Sequence, residues 1–302
     1  MTLIDRSQSR PRSVMLAWIK ALRPTHWVKN VLVFAPLVLA GRASDVAAWV
    51  GAGFAFIALS AAASAGYLVN DIRDREADRL HPEKCTRPFA AGELEARSGK
   101  ILAVALAAFG AWLAGTWSLP LGLTLVVYMI GTVAYSTGLK REPVFDVVAL
   151  AALYMLRLAA GGVASGAALS QWFLAFGGLF FLSLALAKRH TELRRQTDQT
   201  ETPGRGYAPT DWAFTLSAGL GAGFGAVVVF LLYVALNGGP SGLYSQTTGL
   251  WVIGGLLAVW LLRLWFIAHR GALSYDPIVW AFRDPLSRVL GLIAAGCLSA
   301  SF

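Results

Sequence analysis

Charged residues are scarce in this sequence, and their scarcity excludes an ordinary soluble protein. Only 14% of the 302 residues are charged, whereas 56% are hydrophobic and the mean hydropathy is +0.58. Soluble domains carry about 25% charged residues. Cysteine is also rare: Cys85 and Cys297 are too far apart in the predicted topology to pair, so no disulfide or cysteine metal framework is expected. The composition predicts an integral membrane protein.

Several nucleotide-binding and hydrolase motifs are missing as well. The sequence has no G-x-x-x-x-G-K-[ST], G-x-G-x-x-G, H-E-x-x-H or G-x-S-x-G. ATP hydrolysis, dinucleotide chemistry and serine hydrolysis therefore lose support. The net charge of +9 lies on no soluble basic module, so nucleic acid is not an expected partner. The expected partners of these positive charges are membrane lipid headgroups and anionic substrates. The first 25 residues show no signal peptide pattern.

The apolar runs predict an all-α bundle of about nine transmembrane helices, since one crossing needs about 20 residues. The whole chain, 1–302, is expected to form one transmembrane domain. It would have a cytoplasmic or interfacial segment at 1–26 and active-site loops at 71–97 and 189–210. Small-residue stretches such as 219–223 permit packing within or between subunits, so a homo-oligomer is compatible with the sequence. The predicted spans are 27–41, 46–70, 98–116, 119–138, 143–165, 170–190, 211–236, 249–268 and 286–302.

The distribution of basic residues predicts the orientation. With a cytoplasmic N-terminus and nine alternating spans, 24 of the 26 Lys and Arg residues fall on the cytoplasmic side. Arg42 lies outside and Arg157 lies within a span. This bias is what the positive-inside rule describes. We therefore expect a multi-pass protein of the plasma (inner) membrane whose chemistry faces the cytoplasm.

An acidic cluster directly follows the second apolar run. In a continuing helix, about 100° per residue would place its four side chains on one face. Like charges at this spacing repel each other, and a hard cation would reverse that cost. Mg²⁺ usually takes one or two carboxylates together with water and phosphate oxygens. The predicted Mg²⁺ ligands, of which the three aspartates are also the candidate catalytic residues, are Asn70, Asp71, Asp74 and Asp78. The alternative is a solvated helix end.

Two basic groups are candidates for binding phosphate. Lys84 and Arg87 follow the acidic cluster and can fold back over it. Lys188 and Arg189, with Glu192 one turn further on, end the sixth predicted span. The acidic and basic faces can hold a polyanion between them, one through metal and one directly. The alternative for both groups is a positive-inside flank, with an i, i+4 pair between Lys188 and Glu192.

A buried cation marks the middle of the fifth predicted span. Arg157 is costly at that depth, which favours a phosphate ligand inside the bundle; the alternative is a structural pair with a carbonyl or carboxylate. Lys29 and Lys140, the latter in the loop that follows Tyr135, are further candidates for the same cavity, although Lys29 would serve equally well as an interfacial anchor. Two late aspartates, Asp276 and Asp284, are weaker candidates, since at these positions a capping or loop role is favoured over catalysis.

The Asn-Asp-x-x-Asp-x-x-x-Asp motif at 70–78, on the second of nine predicted helices, resembles the UbiA superfamily of intramembrane prenyltransferases. The resemblance covers nearly the whole chain. It implies a helical bundle with a cytosol-facing cavity that binds Mg²⁺ and a diphosphate substrate. The superfamily has a second Asp-x-x-x-Asp motif after helix six, where this chain has Lys188-Arg-His-Thr-Glu192. That departure weakens the case for prenyl transfer to an aromatic acceptor.

The departure resembles one branch of the superfamily, the decaprenyl-phosphate phosphoribosyltransferases. The motifs that carry this resemblance are Leu22-Arg-Pro-x-x-Trp-Val-Lys-Asn30, Tyr67-Leu-Val-Asn-Asp71, Lys84-x-x-Arg-Pro-x-Ala-Ala-Gly92 and Lys188-Arg-x-x-Glu-Leu193. The branch implies transfer of 5-phosphoribose from phosphoribosyl diphosphate to a polyprenyl phosphate, with inversion, for arabinan synthesis in the cell wall. The implied substrate-binding residues are Lys29, Asn70, Lys84, Arg87, Tyr135, Lys140, Arg157, Lys188, Arg189 and Glu192. The rivals are an aromatic prenyltransferase and a non-enzymatic lipid or ion transporter.

Overall fold

The structure is a computed structural model that describes residues 14–81, 84–195, 206–237, 244–273 and 276–302. Parts of the predicted N-terminal segment (1–13) and of the second predicted loop (196–205) lie outside the described residues. Over the described ranges the chain is helical and forms no β-strand. The α-helices are α1 (Val14–Leu22), α2 (Ala35–Leu39), α3 (Val46–Arg73), α4 (Arg75–Leu80), α5 (Ala96–Trp117), α6 (Leu119–Thr137), α7 (Phe145–Ser165), α8 (Gln171–Arg195), α9 (Trp212–Asn237), α10 (Thr248–His269), α11 (Pro277–Arg283) and α12 (Pro285–Ser299).

Seven helices among the described residues are long and apolar enough to cross a membrane, namely α3 and α5 to α10. The prediction of an all-α, multi-pass membrane protein is confirmed, but the count of nine is not. The predicted ninth span, 286–302, overlaps α12, an apolar helix of 15 residues that begins one residue earlier. This is shorter than the ~20 residues that a full crossing needs.

The predicted first span, 27–41, is not one α-helix. It contains most of an 11-residue 3₁₀ helix, Pro24–Phe34, followed by the short helix α2. A 3₁₀ helix of this length is unusual, because its hydrogen bonds are poorly aligned. Contacts with α3 and α7 hold this segment in place. It therefore carries Lys29 and Asn30 against the centre of the bundle.

A close backbone contact fixes the 3₁₀ segment on α7. An ideal Cβ built on Gly161 would lie 2.1 Å from the carbonyl oxygen of Val33. Val33 itself is fully buried and packs with Leu37 against the alanine-rich face of α3. Only glycine permits this approach, so Gly161 determines how near Lys29 and Asn30 come to Arg157.

Replacement of Gly161 by Ala is expected to lower stability by about 1–3 kcal/mol, because the added methyl group collides with backbone that cannot move cheaply. The matched control is Gly178→Ala on α8, where a Cβ meets nothing within 4 Å. Thermal unfolding of the two purified variants in the same detergent measures the difference. Equal midpoints for both variants would contradict the close approach.

Candidate active site

The acidic cluster predicted at 70–78 forms a buried ion-pair network at the end of α3. Arg23 donates to both carboxylate oxygens of Asp71, at 2.6 and 2.9 Å. Arg87 lies 3.2 Å from Asp71 and 2.7 Å from Asp78, so it bridges the two carboxylates. Both aspartates are almost fully buried. We call these four residues the acidic site; the predicted return of Arg87 over the acidic face is found.

Helix geometry explains why Asp71 and Asp78 stay together. The chain interrupts the α-helix at Asp74, which ends α3 and precedes α4. The backbone hydrogen bonds nevertheless continue, from Asp74 to Asn70 and from Asp78 to Asp74. Seven residues are about two helical turns, so Asp71 and Asp78 lie above one another on the same side.

Arg23 reaches the acidic site from a strained backbone position. Its φ of 53° and ψ of 57° lie in the left-handed region, which few residues other than glycine adopt. Such a conformation costs about 1–3 kcal/mol and persists only where the surroundings enforce it. From this position the Arg23 guanidinium forms its ion pair with Asp71. It also lies over the Tyr67 ring, 5.2 Å from the ring centroid.

Asn70 and the nearby Lys84 lie apart from this network. The Asn70 amide donates to Ser136 on α6 at 3.2 Å, so Asn70 and Asp71 do not face the same neighbour. Lys84 is exposed at the start of the 3₁₀ turn Lys84–Thr86. The expectation of four side chains on one face is therefore only partly met, because Asn70 binds Ser136 on α6 while Asp71 binds Arg23.

The donor chemistry of the acidic site fits Mg²⁺ in one specific form. Within the described ranges, no group of three or more His, Cys, Asp and Glu side chains is spaced to enclose a metal. Mg²⁺, however, usually binds one or two carboxylates and completes its shell with water and substrate phosphates. Asp71 and Asp78 supply that number of hard oxygen ligands. They fit a metal that arrives with a phosphate rather than one held by protein alone.

A second polar group, which we call the Asp276 site, lies where four elements meet. The Asp276 carboxylate accepts from Lys29 at 2.8 Å and from the Tyr154 hydroxyl at 2.8 Å. Lys188 lies 3.8 Å from the same oxygen as Lys29. Burial by itself would raise the pKa of Asp276, but the charges of Lys29 and Lys188, together with these hydrogen bonds, lower that pKa below its ordinary value. The carboxylate is therefore ionised at neutral pH.

Arg157 lies beside this group, deep in the bundle. Its guanidinium donates to Asn30, to the Tyr128 hydroxyl and to the carbonyl of Leu153, at 2.6–2.9 Å. Tyr154 flanks it, with the ring centroid 5.3 Å away. These hydrogen-bond partners are neutral, so they orient the charge of Arg157 without cancelling it. The predicted structural pair with a carbonyl is found, and the positive potential at the centre of the bundle remains.

His26 and Tyr67 lie between the two polar groups. Their rings meet edge to face with centroids 5.2 Å apart, and the charges of Arg23, Lys29 and Asp276 all act on His26. Burial lowers the pKa of His26 to about 4, and the Lys29 and Arg23 charges act in the same direction. The imidazole is therefore neutral near pH 7 and can both donate and accept. The acidic site and the Asp276 site thus border one polar region.

An apolar cavity of about 630 Å³ begins directly beside the Asp276 site. Leu32 is one turn from Lys29, Leu184 is one turn from Lys188, and Ile278 is two residues from Asp276; all three line the cavity. Phe181, also in its wall, stacks on Tyr154 with centroids 5.0 Å apart. The far end is lined by Leu39, Leu169 and Tyr244, among others. A chain bound in this cavity would present its polar end to Lys29 and Lys188.

Arg189 corrects one of the predictions. Its side chain is fully buried, forms an ion pair with Asp146 at 2.7 Å and also contacts Glu192. Asp146 in turn accepts from the Tyr207 hydroxyl at 2.7 Å. Arg189 therefore pairs with Asp146 and Glu192, although its Nη2 lies against Asp146 without forming a hydrogen bond. Its side chain has no exposed surface for a phosphate. The predicted pair of Lys188 with Glu192 is replaced by Lys188 with Asp276.

Two further predicted residues lie near that buried pair. Tyr135, near the end of α6, lies close enough to Arg189 to interact with it electrostatically. Lys140 lies in the 3₁₀ turn Leu139–Arg141 and is partly exposed. Their predicted roles in substrate binding stay predictions.

The sequence did not single out Arg23 as a site residue, and it favoured a capping or loop role for Asp276 over catalysis. Asp276 does cap α11, since it accepts from the backbone N–H of Ile278 at 3.3 Å. The same carboxylate also forms ion pairs with two lysines. A cap and an ion-pair centre look alike in sequence, because both need only an aspartate before a helix. For Arg23, the available signal was its fixed position, directly before a proline, in the Leu22-Arg-Pro motif that carries the family resemblance.

Comparisons with known proteins agree with this architecture. A family model described as the UbiA prenyltransferase family matches residues 31–283. The fold is similar to that of a UbiA homolog from Archaeoglobus fulgidus bound to GPP and Mg²⁺, with a TM-score of 0.69 and 18% identity, covering 94% of this chain and 97% of that one. At this identity the likeness shows the fold alone.

Three curated relatives differ in how much they share with the chain. The uncharacterized protein y4nM of Sinorhizobium fredii is 39% identical over 92% of the chain and 54% of its own length. Nodulation protein NoeC of Azorhizobium caulinodans is 34% identical over 92% of the chain and 91% of its own length. Decaprenyl-phosphate phosphoribosyltransferase of Mycobacterium tuberculosis is 44% identical over 61% of the chain and 62% of its own length. The chain thus spans about half of y4nM and less than two thirds of the phosphoribosyltransferase.

Proposed function

Because the chain belongs to the UbiA prenyltransferase family, we propose that it moves 5-phosphoribose from phosphoribosyl diphosphate to a polyprenyl phosphate, at the cytoplasmic face of the plasma membrane. The observation that carries this proposal is the pair of lysines at the mouth of the apolar cavity. Lys29 and Lys188 converge there on one carboxylate oxygen. A second acidic motif would suit another metal–diphosphate site, whereas two lysines suit a phosphate bound directly.

The donor diphosphate is assigned to the acidic site. Asp71 and Asp78 would hold Mg²⁺, which supplies charge compensation for the diphosphate leaving group. Arg23 and Arg87 already lie against these carboxylates and have exposed side-chain surface, 23% and 28%. They are placed to share their donors with phosphate oxygens, in the forked geometry that arginine gives. Asn70, Asp74 and Lys84 remain candidates for the outer part of this subsite.

The acceptor is assigned to the Asp276 site and the cavity behind it. The polyprenyl chain would lie along Leu32, Phe181, Leu184 and Ile278, with its phosphate on Lys29 and Lys188. Arg157 adds positive potential from inside the bundle. His26 and Tyr67, which lie between the two subsites, would border the ribose.

The chemistry needs no protein nucleophile. An acceptor phosphate oxygen attacks the anomeric carbon of the ribose, and the bond from that carbon to the diphosphate breaks with its electron pair leaving on the diphosphate. In-line attack inverts the anomeric centre and gives the β-linked lipid. The acceptor is already anionic, so a strong general base is unnecessary. Rate acceleration then comes from positioning and from charge stabilisation by Arg23, Arg87 and the lysines.

The direct test uses the purified chain in detergent with radiolabelled phosphoribosyl diphosphate, decaprenyl phosphate and Mg²⁺. A labelled lipid that disappears with EDTA supports the proposal. The rival reaction is run in parallel, with GPP and a labelled aromatic acceptor. Labelled prenylated product in that arm alone would establish aromatic prenyl transfer instead, and no turnover in either arm would favour a non-enzymatic carrier.

Replacement of Lys188 by Met should weaken the acceptor specifically. Loss of one charge-assisted contact costs about 1.5–3 kcal/mol, so we expect KM for polyprenyl phosphate to rise about tenfold or more while KM for the donor changes little. The control is Lys100→Met, an exposed lysine on α5. Initial rates measured against each substrate separate the two constants. A selective rise in the donor KM would place Lys188 in the donor subsite instead.

A further inference from the structure

The Asp276 carboxylate occupies the place that an acceptor phosphate needs. One oxygen lies 2.8 Å from the Lys29 ammonium and 3.8 Å from that of Lys188, and the other accepts from Tyr154. The Lys29 and Asp276 side chains are 15% and 12% exposed, so little water screens the pair. An anion that bridges both lysines must therefore displace this carboxylate or share its partners with it.

The outcome of that competition depends on the charge of the incoming anion. A phosphate monoester carries a charge of about −1.5 to −2 near pH 7, because its second pKa is about 6. A phosphodiester carries a single charge, as a carboxylate does. The monoester has the advantage over Asp276 in binding the two lysines, whereas the diester has none. The proposed acceptor is a monoester, and the proposed product is a diester at the same phosphorus.

We propose that Asp276 is a competing counter-anion, a positioning residue that makes the Lys29–Lys188 pair selective for phosphomonoesters over phosphodiesters. This inference rests on the proposed function. When the acceptor binds, the Asp276 carboxylate loses its ion pairs with Lys29 and Lys188. It keeps the hydrogen bond from Tyr154 and the cap of α11. When the acceptor phosphate becomes a diester, Asp276 forms its ion pairs with the two lysines again and thereby speeds product release.

The location of Asp276 supports a role beyond capping. Asp284 provides the internal comparison, because it also caps a helix, through Ser287 at 2.7 Å, and also pairs with a cation, Arg263, at 2.6 Å. Asp284 pairs with one cation and Asp276 with two. Asp284 touches the cavity wall through Ser287, but of the two aspartates it is Asp276 that lies within 4 Å of two lysines, and the neighbours of those lysines line the cavity.

The test compares Asp276→Asn with Asp284→Asn. Asparagine is as good an N-cap as aspartate, so each variant loses the charge and keeps the cap. The probes are farnesyl phosphate and its methyl diester, titrated separately into purified protein in nanodiscs by calorimetry. We expect wild type and Asp284→Asn to prefer the monoester by about tenfold or more, and Asp276→Asn to bring the two affinities within about threefold, chiefly by binding the diester more tightly.

Turnover provides a second readout that a purely structural role would not move. Asp276→Asn should lower both kcat and the KM for acceptor, because product leaves slowly. A structural defect would instead raise KM and lower the unfolding midpoint. If Asp276→Asn does not fold, Asp276→Ser, which also caps helices, takes its place.

The outcomes separate the two proposals. Wild type that binds neither probe would remove the acceptor subsite and with it the proposed function. Wild type that prefers the monoester, with an equal preference in Asp276→Asn, would overturn the role of Asp276 alone. Loss of the preference for the monoester in Asp276→Asn, but not in Asp284→Asn, supports the proposed role of Asp276.

Discussion

Replacement of Asp71 by Asn is expected to reduce phosphoribosyl transfer about 100-fold or more, the scale seen when one preorganised electrostatic contact is removed. Asp71 is 3% exposed and receives both Arg23 and Arg87. The amide keeps the shape of the side chain but loses the negative charge. The variant would lose both the proposed coordination of Mg²⁺ by Asp71 and the ion pairs of Asp71 with Arg23 and Arg87. The measurement is the initial rate of labelled lipid formation at saturating substrates.

A control on the same helix separates this effect from general damage. Asp45 caps the opposite end of α3, accepts from Ala48 at 3.2 Å and pairs with Arg42. Asp45→Asn should keep the cap and retain near-normal turnover. Asp78→Asn should behave like Asp71→Asn, because Arg87 bridges both carboxylates. Near-normal, Mg²⁺-dependent transfer by Asp71→Asn and Asp78→Asn would rule out the acidic site as the catalytic centre.

Metal titration adds a sharper distinction. If Asp71 holds Mg²⁺, the concentration of Mg²⁺ needed for half-maximal rate should rise in Asp71→Asn. Arg23→Lys keeps the carboxylate and one positive charge but loses the forked donor geometry. It should therefore raise the donor KM without changing the Mg²⁺ requirement. The same Mg²⁺ shift in both variants would mean that Asp71 acts only through Arg23.

The sequence was most informative where the structure depends on local pattern. Long apolar runs correctly predicted the seven spans of the described residues, because length and hydropathy alone decide whether a helix can cross the membrane. The acidic motif at 70–78 also led to a real polar site. Its spacing keeps Asp71 and Asp78 on one side even though the helix is interrupted at Asp74.

The sequence could not predict which side chains form ion pairs when the two residues lie on elements far apart along the chain. Asp276 meets Lys29, 247 residues away along the chain, and Arg189 meets Asp146, 43 residues away. The segment that begins at Pro24 was expected to be an α-helix in part, yet it forms a 3₁₀ helix that lies close against α7 at Gly161. Local propensity does not reveal such contacts, because they depend on how helices pack.

Arg189 shows how much depends on this distinction. The sequence places it beside Lys188 in a basic run, where a phosphate ligand is a reasonable interpretation. The structure places the two side chains in opposite environments: Lys188 is 32% exposed beside the cavity mouth, and Arg189 is fully buried. A buried charge pair gives limited net stability, but breaking it leaves an uncompensated charge.

Replacement of Arg189 by Met is therefore expected to destabilise the protein by about 3–5 kcal/mol, because Asp146 would remain buried without its cation. Asp146 also accepts from Tyr207, whose hydroxyl in turn accepts from the Val144 N–H at 2.9 Å. Val144 is a β-branched residue held at a φ of 69°, so its conformation depends on these contacts. The loss should spread to the start of α7.

The matched control is Arg194→Met, since Arg194 is an exposed arginine on the same helix. Its replacement should change the unfolding midpoint little, whereas Arg189→Met should lower it markedly in the same detergent. The double variant Asp146→Asn/Arg189→Met should recover part of the loss, because it removes both buried charges. Recovery identifies the interaction with Asp146 as the source of the effect. If Arg189→Met instead kept full stability and raised a substrate KM, Arg189 would be a phosphate ligand after all, and the burial of its side chain would have to change on substrate binding.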